Sequence, residues 1–118
     1  TDITGFGLAG HAARLVAPFD LSVDIELDAI PLYPGAETLA GDGIRSTLWQ
    51  ANRAAVRFEG PGSPRSALLF DPQTAGGLLA AVPADHAAAL TEALRAMGHN
   101  CAVIGHITAR ADSDVTAR

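Results

Sequence analysis

Between Pro18 and Pro31 the chain reads Leu21-Ser22-Val23-Asp24-Ile25-Glu26-Leu27, an unbroken alternation of apolar and polar residues. Successive side chains of a strand point to opposite faces. The pattern therefore predicts a half-buried strand over 21–27, with Leu21, Val23, Ile25 and Leu27 inward and Ser22, Asp24 and Glu26 outward. A slip of one residue would turn the whole set over, so the register is strongly specified. A strand with one apolar face needs a layer to cover it, and the remaining segments must supply that layer.

They read as helices with further strands. Leu8, Ala12, Leu15 and Val16 fall at helical spacing from Phe6 to Ala17, and Pro18 stops that helix. Pro34 suits a first helical turn leading to Leu39. After Gly41-Asp42-Gly43, Ser46 can cap a short helix through Asn52. Beyond Gly60-Pro61-Gly62-Ser63-Pro64, a short apolar turn at 67–70 meets Asp71-Pro72, where the chain must bend. Leu78 to Val82 reads as a short apolar strand. Pro83-Ala84-Asp85 opens a helix carrying Leu90, Leu94 and Met97, which Gly98 closes. Cys101 to Ile107 reads as the next strand, making a strand–helix–strand unit, and the polar residues 109–118 are expected to form a tail without an element. The class expected is α+β, layered as in α/β proteins: a mixed β-sheet with packed helices, in a single domain with its core over about 1–108.

Composition removes several functions. A formal charge of -5 and eight scattered basic residues give no footprint for a nucleic-acid backbone. No apolar run is long enough to span a bilayer, and no signal peptide opens the chain, so a soluble protein is expected. A single cysteine, Cys101, permits no intrachain disulfide and fits a reducing, cytoplasmic compartment. Cys101 itself lies in an apolar segment and reads as structural, and the four histidines lack metal-ligand spacing. The absence of an initiator Met suggests a piece of a longer protein.

Two polar, glycine-containing stretches remain for chemistry. Gly5-Phe6-Gly7-Leu8-Ala9-Gly10 matches G-x-G-x-x-G, but a dinucleotide fingerprint needs a buried apolar strand before its first glycine, and Thr1, Asp2 and Thr4 stand there instead. What the glycines do offer is close backbone approach to an anion at a helix start. A carboxylate at Asp2 would repel that anion unless it held a bridging Mg2+; the plainer alternative for Asp2 is an Asx turn at the helix start. The second stretch, Leu68-Leu69-Phe70-Asp71-Pro72-Gln73-Thr74-Ala75-Gly76-Gly77-Leu78-Leu79, traps a polar loop between apolar flanks. Gly76 and Gly77 permit positive φ or ligand approach and Thr74 offers a hydroxyl, although a tight turn into a buried strand explains the same residues.

Together, Thr1-Asp2-Ile3-Thr4-Gly5-Phe6-Gly7-Leu8 with Gly10-His11 and the 68–79 stretch resemble the selenophosphate synthetase family, with smaller similarities at 30–36, 46–48, Asn52-Arg53, Val82-Pro83 and 103–105. The resemblance implies the C-terminal fold shared with aminoimidazole ribonucleotide synthetase, partly ferredoxin-like. It also implies conversion of selenide, ATP and water to selenophosphate, AMP and phosphate with Mg2+. An absent N-terminal ATP-binding domain would carry the reactive Cys or selenocysteine, the Lys, most metal carboxylates and the main homodimer contact. By the same resemblance Asp2 is the metal-binding residue, and Thr4, Gly5, Gly7, Thr74, Gly76 and Gly77 contact the nucleotide phosphates. No catalytic residue falls in this chain, which is expected to be inactive alone. Ile3, Ala75 and His106 depart from the family's commoner Val, Ser and acidic residue, and Ala75 leaves the second loop's phosphate contacts to backbone groups and Thr74. The readings set against this are another ATP-dependent member of the superfamily, and a non-catalytic packing or dimerisation module fused to an upstream oxidoreductase.

Overall fold

The alternating segment forms strand β1, Leu21–Ile25, at the middle of a sheet; the computed structural model describes all residues from Thr1 to Arg118. Ile25 is buried in the core, whereas the Asp24 carboxylate turns to the other face and accepts from the Thr116 hydroxyl at 3.1 Å and from Arg118. The register is the one the alternation predicts, but Ser22, read as outward, is buried: its hydroxyl donates to Ser113 O at 2.8 Å and accepts from Ala111 N–H at 3.0 Å, so the 109–114 segment covers that end of the second face. The ladder stops at Ile25, and Leu27 enters a 3-10 turn, Leu27–Ala29, with its side chain still buried.

The sheet has four strands in the order β2-β4-β1-β3, where β2 is Phe58–Glu59, β3 Gly105–Ala109 and β4 Val115–Ala117. β3 runs antiparallel to β1, while β4 runs parallel to both β1 and β2, so the sheet is mixed. Helix α1, Gly7–Val16, covers the apolar face through Leu8, Ala9, Ala12 and Val16. Leu69 and Phe70, from the 3-10 turn Leu68–Phe70, complete the core; the Phe70 ring meets Trp49 and Phe58 edge-on at 5.9 and 5.1 Å between centroids. Three short helices frame this turn: α2 (Ala36–Gly41), α3 (Trp49–Ala54) and α4 (Pro64–Ala67). α4 starts with a reciprocal Ser63–Ser66 capping box.

Four further expectations are corrected. The 109–118 segment is not a bare tail: Val115 and Ala117 are core residues of β4, because a parallel slot between β1 and β2 satisfies their backbone groups. Leu78–Val82 is not a sheet strand. Its first residues pair with the chain's opening instead, through an antiparallel bridge between Asp2 and Leu78 and a bond from Leu79 N–H to Thr1 O at 2.8 Å. The strand–helix–strand unit therefore does not form as read, and β3 begins at Gly105, four residues later than expected. Ser46 accepts from Leu48 N–H in the turn before α3 without being its cap. Helix α5, Ala84–Ala96, is as read, with Gly98 at φ +88° as its left-handed stop, but it buries none of its residues. The chain exposes 7243 Å², against about 6000 Å² expected for a compact monomer of its mass, and Met97 at 72% and Leu78 at 87% exposure belong to that excess.

Candidate functional site: two glycine-bearing segments joined

The two stretches singled out by sequence lie against each other. Ile3 N–H donates to Gly77 O at 2.9 Å, Gln73 N–H to Thr4 O at 3.1 Å, and the amino terminus of Thr1 to Leu79 O at 2.9 Å. A third element ties them. Asn52, 8% exposed on α3, donates through Nδ2 to Gly5 O at 2.8 Å and to Phe70 O at 3.0 Å, so one amide holds both segments. Asn52 shares its short helix with Gln50 and Arg53, so nothing in the local sequence marks it out for this role.

The glycines divide into two kinds. Gly7 has φ +70°, and a Cβ there would lie 2.7 Å from Leu69 O; Gly76 is pressed against Ile3 O, where a Cβ would collide. Both serve the junction between the segments. Gly5 and Gly77 have open space around the position a Cβ would take, so the backbone at these two is approachable from outside. Neither Gly76 nor Gly77 adopts positive φ, so close packing explains Gly76 where turn geometry does not.

Asp2 is exposed, and its carboxylate has no hydrogen-bond or ion-pair partner in the chain. Ile3 is 4% exposed, between the exposed Asp2 and the half-buried Thr4. Thr4 N–H donates to His11 Nε2 at 3.0 Å, and the Thr4 hydroxyl lies 3.1 Å from the same nitrogen. The His11 ring sits 5.6 Å from that of Phe6, whose face carries the Arg14 guanidinium at 3.6 Å. Thr74 is exposed beside this junction.

All eight residues of the Lys and Arg class are arginines; their side chains bind other carboxylates, backbone carbonyls or aromatic rings, and none pairs with Asp2. The segments thus offer backbone amides, hydroxyls and the carboxylates of Asp2 and Asp71, neither of which has a partner in the chain, without a side-chain cation of their own. No three His, Cys, Asp or Glu residues converge to hold a metal. The donor set fits one edge of a Mg2+ shell, an oxygen-only ligand preference, and leaves the remaining positions to groups outside this chain. A cavity of about 660 Å³ is lined by Ala88, Thr91, Glu92 and Arg95 of α5 with Ala29, Ala102 and Val103, and includes none of the motif residues. Trp49 is half-buried with Nε1 donating to Ala67 O at 2.8 Å, consistent with a packing role. Cys101 is half-buried and makes no disulfide.

A mixed sheet covered by α1, with the two glycine-bearing segments joined at the start of that helix, defines the class. The chain belongs to the AIR synthase related protein, C-terminal domain family, whose model matches residues 1–118. More particularly, it is 34% identical over 120 residues to selenide, water dikinase 2 of Peptoclostridium acidaminophilum, covering 98% of this chain and 35% of that protein. It is 35% identical over 119 residues to the selenide, water dikinase of Bdellovibrio bacteriovorus, covering 98% and 34%. Against that of Myxococcus xanthus it is 39% identical over 114 residues, covering 92% and 32%. The chain spans about a third of the length of these curated relatives. No helix is long and apolar enough to cross a membrane.

Proposed function

We propose that this chain is the C-terminal domain of a selenophosphate synthetase (selenide, water dikinase), which makes selenophosphate from selenide, ATP and water and releases AMP and phosphate. The observation that carries the reading is the joining of the two motifs into one hydrogen-bonded unit with the Asp2 carboxylate left free. The names of the relatives agree with it.

In this reading Asp2 supplies one oxygen to Mg2+, which when bound would neutralise charge on the nucleotide phosphates. The open backbone at Gly5 and Gly77, with Thr4 and Thr74 beside it, lets phosphate oxygens come within hydrogen-bond reach. Gly7 and Gly76 act one step back, by allowing the segments to touch. The catalytic nucleophile belongs to an N-terminal ATP-binding domain of the parent protein, a homodimeric cytoplasmic enzyme. That domain docks on this one, and the exposed apolar side chains of Leu78 and Met97 support such a partner. The chain by itself forms no AMP.

Asp2→Asn in the complete enzyme tests the assignment. It keeps the side chain's size and removes its charge, so selenide-dependent AMP release should fall at least about tenfold, equivalent to roughly 1.4 kcal/mol, with melting unchanged. Unaltered turnover and Mg2+ dependence in the folded variant would return Asp2 to a turn residue.

A further inference from the structure

His11 stands seven residues beyond Thr4, on α1, and its Nε2 is the meeting point of two Thr4 groups. A backbone N–H can only donate, so the 3.0 Å contact from Thr4 N requires a lone pair on Nε2. The imidazole is then the neutral tautomer with its hydrogen on Nδ1. The Thr4 hydroxyl oxygen is 3.1 Å from the same nitrogen. A lone pair of that oxygen aimed at Nε2 would be repelled, so the hydroxyl hydrogen turns toward it and the two donors share one acceptor. Both lone pairs of Thr4 Oγ1 are left facing away from the ring. Thr4 is also held at its carbonyl, which accepts from Gly7 N–H at 3.1 Å and from Gln73 N–H at 3.1 Å, so the residue has little freedom to turn.

From this geometry we infer that His11 is a positioning residue that makes the Thr4 hydroxyl an acceptor only, so that Thr4 Oγ1 joins Asp2 as a second oxygen donor to a divalent cation or to its bound water. The hydroxyl is thereby unsuited to donate to a phosphate oxygen, and Thr4 moves from the anion side of the site to the cation side. Asp2 and Thr4 flank Ile3, whose side chain is buried; Asp2 is exposed and Thr4 half-buried. A histidine that orients a ligating group does so by fixing which atom carries the hydrogen, and outer partners of this kind alter metal affinity by about 10–100-fold.

This inference rests on the proposed cation role of Asp2, and the test separates the two. The probe is Mn2+, added to the complete enzyme with isotopic label confined to these 118 residues, and the readouts are the tautomer from long-range imidazole 1H–15N spectra and the paramagnetic broadening of amide lines over residues 2–5. The expected result is a hydrogen on Nδ1, with the Mn2+ concentration needed for a given broadening raised roughly tenfold in Thr4→Val and His11→Leu. Thr4→Ser, which keeps the hydroxyl, and His11→Gln, whose side-chain oxygen can reach the same donors, should stay within about twofold of the parent chain. A hydrogen found on Nε2 overturns the inference whatever the metal does. If Asp2→Asn abolishes the broadening while Thr4→Val leaves it unchanged, the Asp2 role stands and the Thr4–His11 role is refuted. If Asp2→Asn has no effect, the Asp2 role fails and the inference with it.

Discussion

Asn52 offers the sharpest test of how the two segments are joined. Its Nδ2 supplies a bond to Gly5 O, which lies half-buried, and another to Phe70 O in the core. In Asn52→Ala, water can replace the first partner, a loss of about 1 kcal/mol, whereas the Phe70 carbonyl stays buried and unpaired at about 2 kcal/mol. The sum, roughly 3 kcal/mol, corresponds to a fall of roughly 10 °C in Tm for a chain of this size. Asn52→Asp keeps the volume but turns carboxylate lone pairs toward two carbonyl oxygens, so at neutral pH it should be less stable than Asn52→Ala. Burial and the facing carbonyls raise the folded-state pKa of the introduced carboxyl above its unfolded value of about 3.9. The added penalty is therefore full above the folded pKa, shrinks as pH falls through it, and disappears below the unfolded value, where the neutral acid can donate to one carbonyl. Urea unfolding of the three chains between acid and neutral pH measures this directly. If Asn52→Ala lies within about 0.5 kcal/mol of the parent, or Asn52→Asp matches Asn52→Ala at pH 7, the two-carbonyl argument is wrong.

Three further outcomes follow from the geometry. Gly7→Ala, which places a Cβ against Leu69 O at positive φ, should lower stability by about 2–3 kcal/mol, whereas Gly77→Ala, with open space, should shift it by less than about 1 kcal/mol in thermal melts. Val115→Ala should destabilise by about 2 kcal/mol and Leu90→Ala by less than about 1 kcal/mol, because Val115 is fully buried in β4 and Leu90 lies on the exposed α5; denaturant titration compares the pair. Trp49→Phe should keep the ring contact with Phe70 but lose the bond to Ala67 O, for a loss of about 1 kcal/mol by the same titration.

The elements that announced themselves are those whose signal is local. β1 rests on alternation over seven residues, and α1 and α5 on helical spacing; Gly98 closes α5, whereas past α1 the chain continues through Pro18 in the 3-10 turn Ala17–Phe19 and leaves it at Asp20, φ +53°. β4 was hidden because Val115-Thr116-Ala117 is too short for a periodic signal and gains its structure only by pairing with β1 and β2, far earlier in the chain. Leu78–Val82 misled for the converse reason: an apolar run suits a buried strand, but its backbone partners are Thr1 and Asp2. At the site, the two segments and Asp2 were legible as motifs, while their mutual contact was not. Asn52 and His11 act on carbonyls and amides remote in sequence, and no spacing rule connects them to those partners.

The place of β4 also orders events in time. It separates β2 from β1, so Phe58–Glu59 has no strand to join until residues 115–117 arrive. During synthesis α1 and β1 can pack first, but the sheet gains its pairings only once residues 105–117, which carry β3 and β4, have emerged. Pairings this distant close large loops before they are rewarded, which makes the completion of the sheet the slow step of folding. Until then Phe70 lacks the neighbour that Phe58 becomes, and the segment on which the motif junction rests remains open to chaperones and proteases.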